Sequence, residues 1–296
     1  MGIIDLSRLP APDAIEALDY EGLLADYIER FIAFWDQQRA RDPSLPEYTV
    51  GGLETDPAVV VGQAFSYLRL LDRARVNNAI RSVLAPFAKG TNLDVIAARQ
   101  NVERLEIAPD VMESDEQLLN RYLLSFGRAS AGSADRLLFD AWTAWPGMLD
   151  ARVNGRAIHG RRGETDLVVA GPGGVTPPDK LALVRAAVTS TSAKPEAIGI
   201  AVMAAEPLEY SVRQLLKIRD GVDVDLVVDE AANRIKAAAD ERTRIGVTIQ
   251  RDLLAGASFG ASISGSVHEA PASDIVPTPY QIPVCTDIDL SVEHLQ

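Results

Sequence analysis

The chain has 296 residues, enough for two or three domains and for a sizeable core without covalent staples. Its 29 Lys and Arg stand against 42 Asp and Glu, a formal net charge of −13. That balance argues against nucleic acid as the main partner, because phosphate binding needs a basic face. The single cysteine, Cys285, excludes a disulfide within the chain and disfavours a cysteine-based metal site. It lies in the apolar run Ile282-Pro283-Val284-Cys285 and is expected to be a small buried hydrophobe. No apolar stretch reaches the length of a membrane span. The start, Met1 to Leu6, has no basic segment leading a signal core. The expectation is a protein made and kept in a cytosol, unless it leaves inside a particle.

Pro10 and Pro12 keep the segment from Ile3 to Asp13 extended. From Tyr20 to Trp35 apolar residues recur at three and four, which predicts a helix. The polar stretch 41–52 holds Pro43, Pro46 and two glycines and reads as a loop. Thr55 or Asp56 before Pro57 is an N-cap signal. The long helix that follows carries Val61, Ala64, Phe65, Leu68, Leu71, Ile80, Val83, Leu84 and Phe87 on one face, with Gly90 as its C-cap. Asn92 or Asp94 starts a short helix through Arg99. Residues 69–104 hold seven basic and three acidic side chains, a local excess of +4 that suits a helix face pairing with an acidic neighbour.

Pro109 and the run Met112-Glu113-Ser114-Asp115 mark a boundary. Ser114 with Gln117 resembles a capping box for a helix from Glu116 to Phe126. The small-residue turn Ala129–Ala134 leads to a helix from Asp135 to Trp145, stopped by Pro146-Gly147. Strands are expected over Met148–Asn154 and Asp166–Ala170, then a turn at Gly171-Pro172-Gly173-Gly174 and a helix from Pro177 or Pro178 to Thr191. In the last hundred residues, Ala197–Ala204 and Leu208–Ile218 read as strands. Helices follow over Leu226–Thr243, closed by Gly246, and over Thr248–Leu254, then strands over Ala261–Val267 and Pro283–Val292. Two strands, helices, then two strands suit a small α+β sandwich. The stretch from Glu269 to Gln296 has five acids, no Lys or Arg and four prolines. It reads equally well as an arm that adds to a neighbour's sheet or as a last strand of its own domain.

Catalytic and metal chemistry leaves little trace. His159, His268 and His294 are far apart, without metal-ligand spacing. No GxSxG elbow exists, and the Gly171 turn lacks the lysine of a phosphate loop. The carboxylate pairs Glu113/Asp115 and Asp287/Asp289 are the candidates for a glycosidase-like acid and base, though caps and solvated strand faces explain them as well.

Taken in order, Ile3 to Asp13, Leu53-Glu54-Thr55-Asp56-Pro57 to Leu71, and Arg75-Val76-Asn77-Asn78-Ala79 resemble baseplate assembly protein J of contractile-tailed phages. So do Gly90-Thr91-Asn92-Leu93-Asp94, Glu113-Ser114-Asp115-Glu116, the turn Ala129–Ala134, Asp274-Ile275-Val276 and Cys285-Thr286-Asp287-Ile288. The likeness spans nearly the whole chain and weakens over His159–Val175 and Met203–Val227. It implies a wedge protein of the inner baseplate ring, present as two copies in each of six wedges. Its implied partners are a second copy of itself, another baseplate wedge protein and a sheath-initiating baseplate protein; the expectation of no nucleic acid and no membrane rests on the charge and the lack of a long apolar stretch. It implies no cofactor and no catalytic residues.

The expectation is therefore an α+β protein: an N-terminal helical region followed by two small α/β sandwich domains, divided as 1–108, 109–194 and 195–296. The wedge-bundle interface is placed on Phe65, Leu68, Leu71, Arg75, Val76 and Ala79, because Val76 and Ala79 extend the apolar surface beyond one core face. Hinges near Pro109 and Lys194-Pro195 would let the ring expand. The competing readings are a baseplate-associated hydrolase and a soluble cytoplasmic adaptor.

Overall fold

A computed structural model describes residues 10, 12–50, 53–191, 193, 197–219 and 221–295. The chain divides into two compact units, residues 1–99 and 100–296. The first is helical and the second mixes helices with small sheets, an α+β architecture.

In the first unit, α1 (Tyr20–Arg41) begins where the Asp19 carboxylate accepts from the Gly22 amide. Helix α2 (Pro57–Val83) begins where Asp56 accepts from Ala58, with Pro57 in the first turn, as its sequence requires. It ends at Val83, earlier than expected. Gly90, at φ +54°, is not its C-cap but the N-cap of α3 (Thr91–Ala98). A glycine at positive φ suits either place, so its identity alone does not say which helix it bounds. The loop between α1 and α2 is pinned by aromatics. Phe31 meets Tyr48 edge-on at 4.9 Å, the Trp35 indole donates to the Pro46 carbonyl, and the Tyr48 hydroxyl donates to Asp56.

The second unit opens with a hairpin of β1 (Glu106–Ala108) and β2 (Val111–Met112), whose turn holds Pro109 and Asp110 at φ +62°. The expected capping box is present at α4 (Asp115–Ser125): Ser114 and Gln117 each accept from the other's amide. Helix α5 (Ala134–Ala144) is capped by Ser133. A three-stranded sheet follows, in which β4 (Glu164–Ala170) lies between β3 (Asp150–Asn154), antiparallel, and β5 (Gly199–Ala204), parallel. The short α6 (Arg156–His159) joins β3 to β4, and α7 (Pro178–Val188) makes the crossover to β5. Residues 167–170 of β4 are fully buried, the expected state of a strand covered on both faces.

Strand β6 (Glu206–Arg219) is the centre of a second sheet. It pairs antiparallel with β7 (Ile263–Ala270) and parallel with β8 (Gln281–Leu295), and α8 (Val224–Arg242) and α9 (Arg251–Ala257) lie between β6 and β7 in sequence. Alternate residues of β6 are buried: Tyr210, Val212, Gln214, Leu216 and Ile218, the period of two that a half-covered strand imposes. Val212 and Tyr210 pack with Ile235 and Ala239 of α8.

Several expectations change here. Strand β5 pairs with β4 rather than with the last strands, and Ala205 alone separates it from β6. The acidic tail is no free arm, since β8 pairs with β6 from Glu206 to Arg219. The last helix starts at Arg251 rather than Thr248, because Ile249 bridges to Ile275 first. Helix α8 ends at Arg242 with Thr243 as its C-cap, so Gly246 does not close it. Cys285 is half-buried at the edge of the α8 cluster, where burial pushes its thiol up. The Gly171 turn is a turn, with Gly173 and Gly174 at positive φ. Lys194 and Pro195 lie outside the described residues.

The two sheets share a core: Val168 and Ala170 of β4 pack with Ile245 and Ile282. A polar seam runs beside it. Asp166, 1% exposed, accepts two bonds from Arg161 at 2.6 and 2.7 Å and one from the Tyr280 hydroxyl at 2.8 Å. Burial pushes the Asp166 carboxyl up, but those donors outweigh it and hold it below the ordinary range. Nearby, the Asn154 amide donates to the Pro279 carbonyl and Arg152 donates to the Ile245 carbonyl.

Candidate functional site

Helix α2 inverts the pattern of an ordinary surface helix. Val59, Gly62, Ser66 and Asn77 are its buried residues, spaced three, four and eleven apart. The large apolar side chains point the other way: Phe65 is 62% exposed, Leu68 60%, Val76 55% and Val83 63%. Leu71, Arg75 and Ala79 are exposed with them. From Val61 to Leu71 and at Val83 the apolar stripe is thus the outer face of the helix.

The inner face explains the inversion. Helices α1 and α2 run antiparallel and close together, and at Gly62 there is room for no side chain: a Cβ there would come within 2.5 Å of the Tyr27 ring. Further along, Asn77 is 3% exposed and imitates a strand neighbour. Its Oδ1 accepts from the Glu16 amide at 3.0 Å and its Nδ2 donates to the Glu16 carbonyl at 2.8 Å. Arg73 adds an ion pair to Glu16 at 2.6 Å and a bond to the Ala17 carbonyl. The segment before α1 is therefore docked on α2 by polar groups, a pairing that periodicity could not show. An asparagine in the middle of a long apolar helix was the one available signal.

Beside Phe65, a cleft of about 320 Å³ opens between the helices, lined by Leu23, Tyr27, Arg30, Ser66, Arg69 and Arg73, with Asp26 as its acid. Single exposed apolar side chains are ordinary, but a contiguous stripe along one helix marks an interaction surface.

The carboxylate candidates are committed elsewhere. Glu113, 2% exposed, accepts from the buried Arg121 and from the Leu105 amide. Burial pushes its carboxyl up and the Arg121 guanidinium down, and their mutual attraction opposes both shifts. Asp115 is bound to Arg104 at 2.6 Å. Asp289 pairs with Arg213 on the exposed face of β8, and Asp287 is exposed. Among the described residues no group of His, Cys, Asp and Glu could hold a metal ion, and no helix is long and apolar enough to cross a membrane.

The buried Glu113 and Arg121 are committed to each other within the second unit, and α2 of the first unit turns its apolar side to solvent. Residues 54–110, which contain all of α2, match the Baseplate J-like N-terminal domain. Over an alignment of 312 residues the chain is 30% identical to baseplate protein J of Escherichia phage P2, covering 97% of each protein. The chain belongs to the baseplate protein J family.

Proposed function

We propose that the chain is a structural, non-catalytic component of a contractile tail baseplate. In this reading it is a wedge protein of the inner ring, carried in the virion tail and coupling host contact to sheath contraction. The observation that carries the reading is the outward apolar face of α2, which a free monomer has no reason to keep. Such a face enters an intermolecular bundle by side-chain interdigitation. The partners of the chain as a whole are a second copy of it, another wedge protein and a sheath-initiating protein.

The test is co-expression with the adjacent tail proteins, followed by size exclusion with mass detection. A stable complex that is lost on Leu68→Asp or Val76→Asp supports the wedge reading. A monomer that ignores those neighbours, or a chain absent from purified particles, sinks it in favour of a soluble adaptor. Turnover of peptidoglycan that disappears on Glu113→Gln would replace it with a hydrolase.

A further inference from the structure

The outer face of α2 has its own register. Phe65, Leu68, Asp72, Val76, Ala79 and Val83 are all exposed and follow spacings of three, four, four, three and four. Positions 65 and 76, 68 and 79, and 72 and 83 are each eleven apart. An eleven-residue repeat turns at 3.67 residues, close to a straight helix, whereas a seven-residue repeat wraps left-handed. The stripe therefore stays on one side of α2 for about 27 Å, at 1.5 Å per residue.

Charges frame it. Arg69 and Arg75 sit three residues before and after Asp72, on opposite borders of the stripe. Both are exposed, and neither has an ion pair or hydrogen bond among the described residues. The Arg69 border continues into the α1–α2 cleft, where three arginines meet one aspartate. Asp72 is the single polar residue of the stripe, and a lone polar position in a helix seam fixes register at some cost in affinity.

Resting on the bundle reading above, we infer that this face selects a helix of another protein, acidic along both flanks and basic at its midpoint, over a second copy of this chain. A second α2 laid against the stripe brings four arginines against two aspartates, in either direction. A helix with Glu on both borders meets Arg69 and Arg75 with opposite charge, and a Lys at its centre meets Asp72. Bordering charges of this kind set partner choice more than raw affinity.

The test uses the full chain and two synthetic helical peptides of 22 residues. Both carry leucines at the three-four-four spacing and a central Lys, and their flanks are all Glu in one and all Lys in the other. Fluorescence anisotropy should show the Glu-flanked peptide binding about tenfold tighter, from two exposed charge pairs each changed from attraction to repulsion. The preference should shrink in 0.5 M NaCl. The exposed double variant Arg69→Glu with Arg75→Glu should reverse it, and Leu68→Asp should abolish binding of both. Equal binding of the two peptides overturns the charge selection and leaves the bundle reading standing. Binding of neither overturns both. Self-association by sedimentation that is lost on Leu68→Asp assigns the face to a second copy and overturns the inference.

Discussion

Asn77→Ala isolates the docking of the segment before α1. The side chain makes two bonds to the Glu16 backbone, at 3.0 and 2.8 Å, from a nearly sealed position. A neutral bond contributes about 1 kcal/mol net, so the pair is worth about 2 kcal/mol. The Arg73–Glu16 ion pair remains, but Glu16 is half-exposed and the pair adds little. Losing 2 kcal/mol raises the undocked population about thirtyfold. Hydrogen exchange read by mass spectrometry on the peptide spanning residues 12–19 should speed up by that factor, with the Glu16 amide carrying the change. Asn78→Ala, on the exposed neighbour, should leave the exchange unaltered. Unchanged protection at Glu16 in Asn77→Ala would refute the account, since the amide would then owe its protection to something else.

Three further substitutions test the packing. Gly62→Ala pushes a methyl into the Tyr27 ring and should cost about 1–3 kcal/mol; an unaltered thermal melt would show that α1 yields freely there. Asp166→Asn removes a charge whose folded-state pKa lies below the usual value, so its stabilisation is present above the unfolded pKa of about 4 and is lost as pH falls through the folded value. Hydrogen bonds to a charged group contribute about 1.5–3 kcal/mol; with the half-exposed Arg161 discounted, the loss at pH 7 should lie at the low end of that range, or roughly 3–6 °C in Tm for a unit of this size. Melts of the two proteins should draw together as pH falls below the ordinary carboxylate range, and a gap that stays constant through acid pH contradicts the linkage. Glu113→Gln strands the Arg121 guanidinium in the interior and should cost about 3 kcal/mol by denaturant titration, whereas Glu113→Leu with Arg121→Met should cost less than either single change.

Local signals in the sequence translated directly into structure where the governing contacts are local. Asp56-Pro57 and Ser114/Gln117 cap the helices they were expected to cap, because the groups involved lie within three residues. The α2 stripe was legible as a stripe, but periodicity gives the width of an apolar face and not its direction. Its direction was decided by Gly62 against Tyr27 and by Asn77 against Glu16, contacts 35 and 61 residues apart in the chain. The six residues chosen for the interface are exposed on the outer face, yet exposure leaves open what covers them. Strand partners were the least legible feature. The parallel pairings of β5 with β4 and of β8 with β6 close over long crossovers, and nothing in a strand's own residues names the strand beside it.

The passage from β5 to β6 through Ala205 alone bears on how the second unit carries force. The Ala205 amide donates to the Val169 carbonyl of one sheet, and the Glu206 amide donates to Tyr280 beside the other. With no loop to straighten at that point, tension along β5 passes to β6 without slack. There β6 is paired along both edges, with β8 along its whole length. A pull parallel to those strands loads many ladder bonds at once, in shear, while a pull across them opens the ladder one bond at a time. The unit should therefore be stiff along β6 and compliant across it, a difference that single-molecule pulling in the two directions would measure. Such anisotropy dictates which displacements pass through the unit and which are absorbed within it.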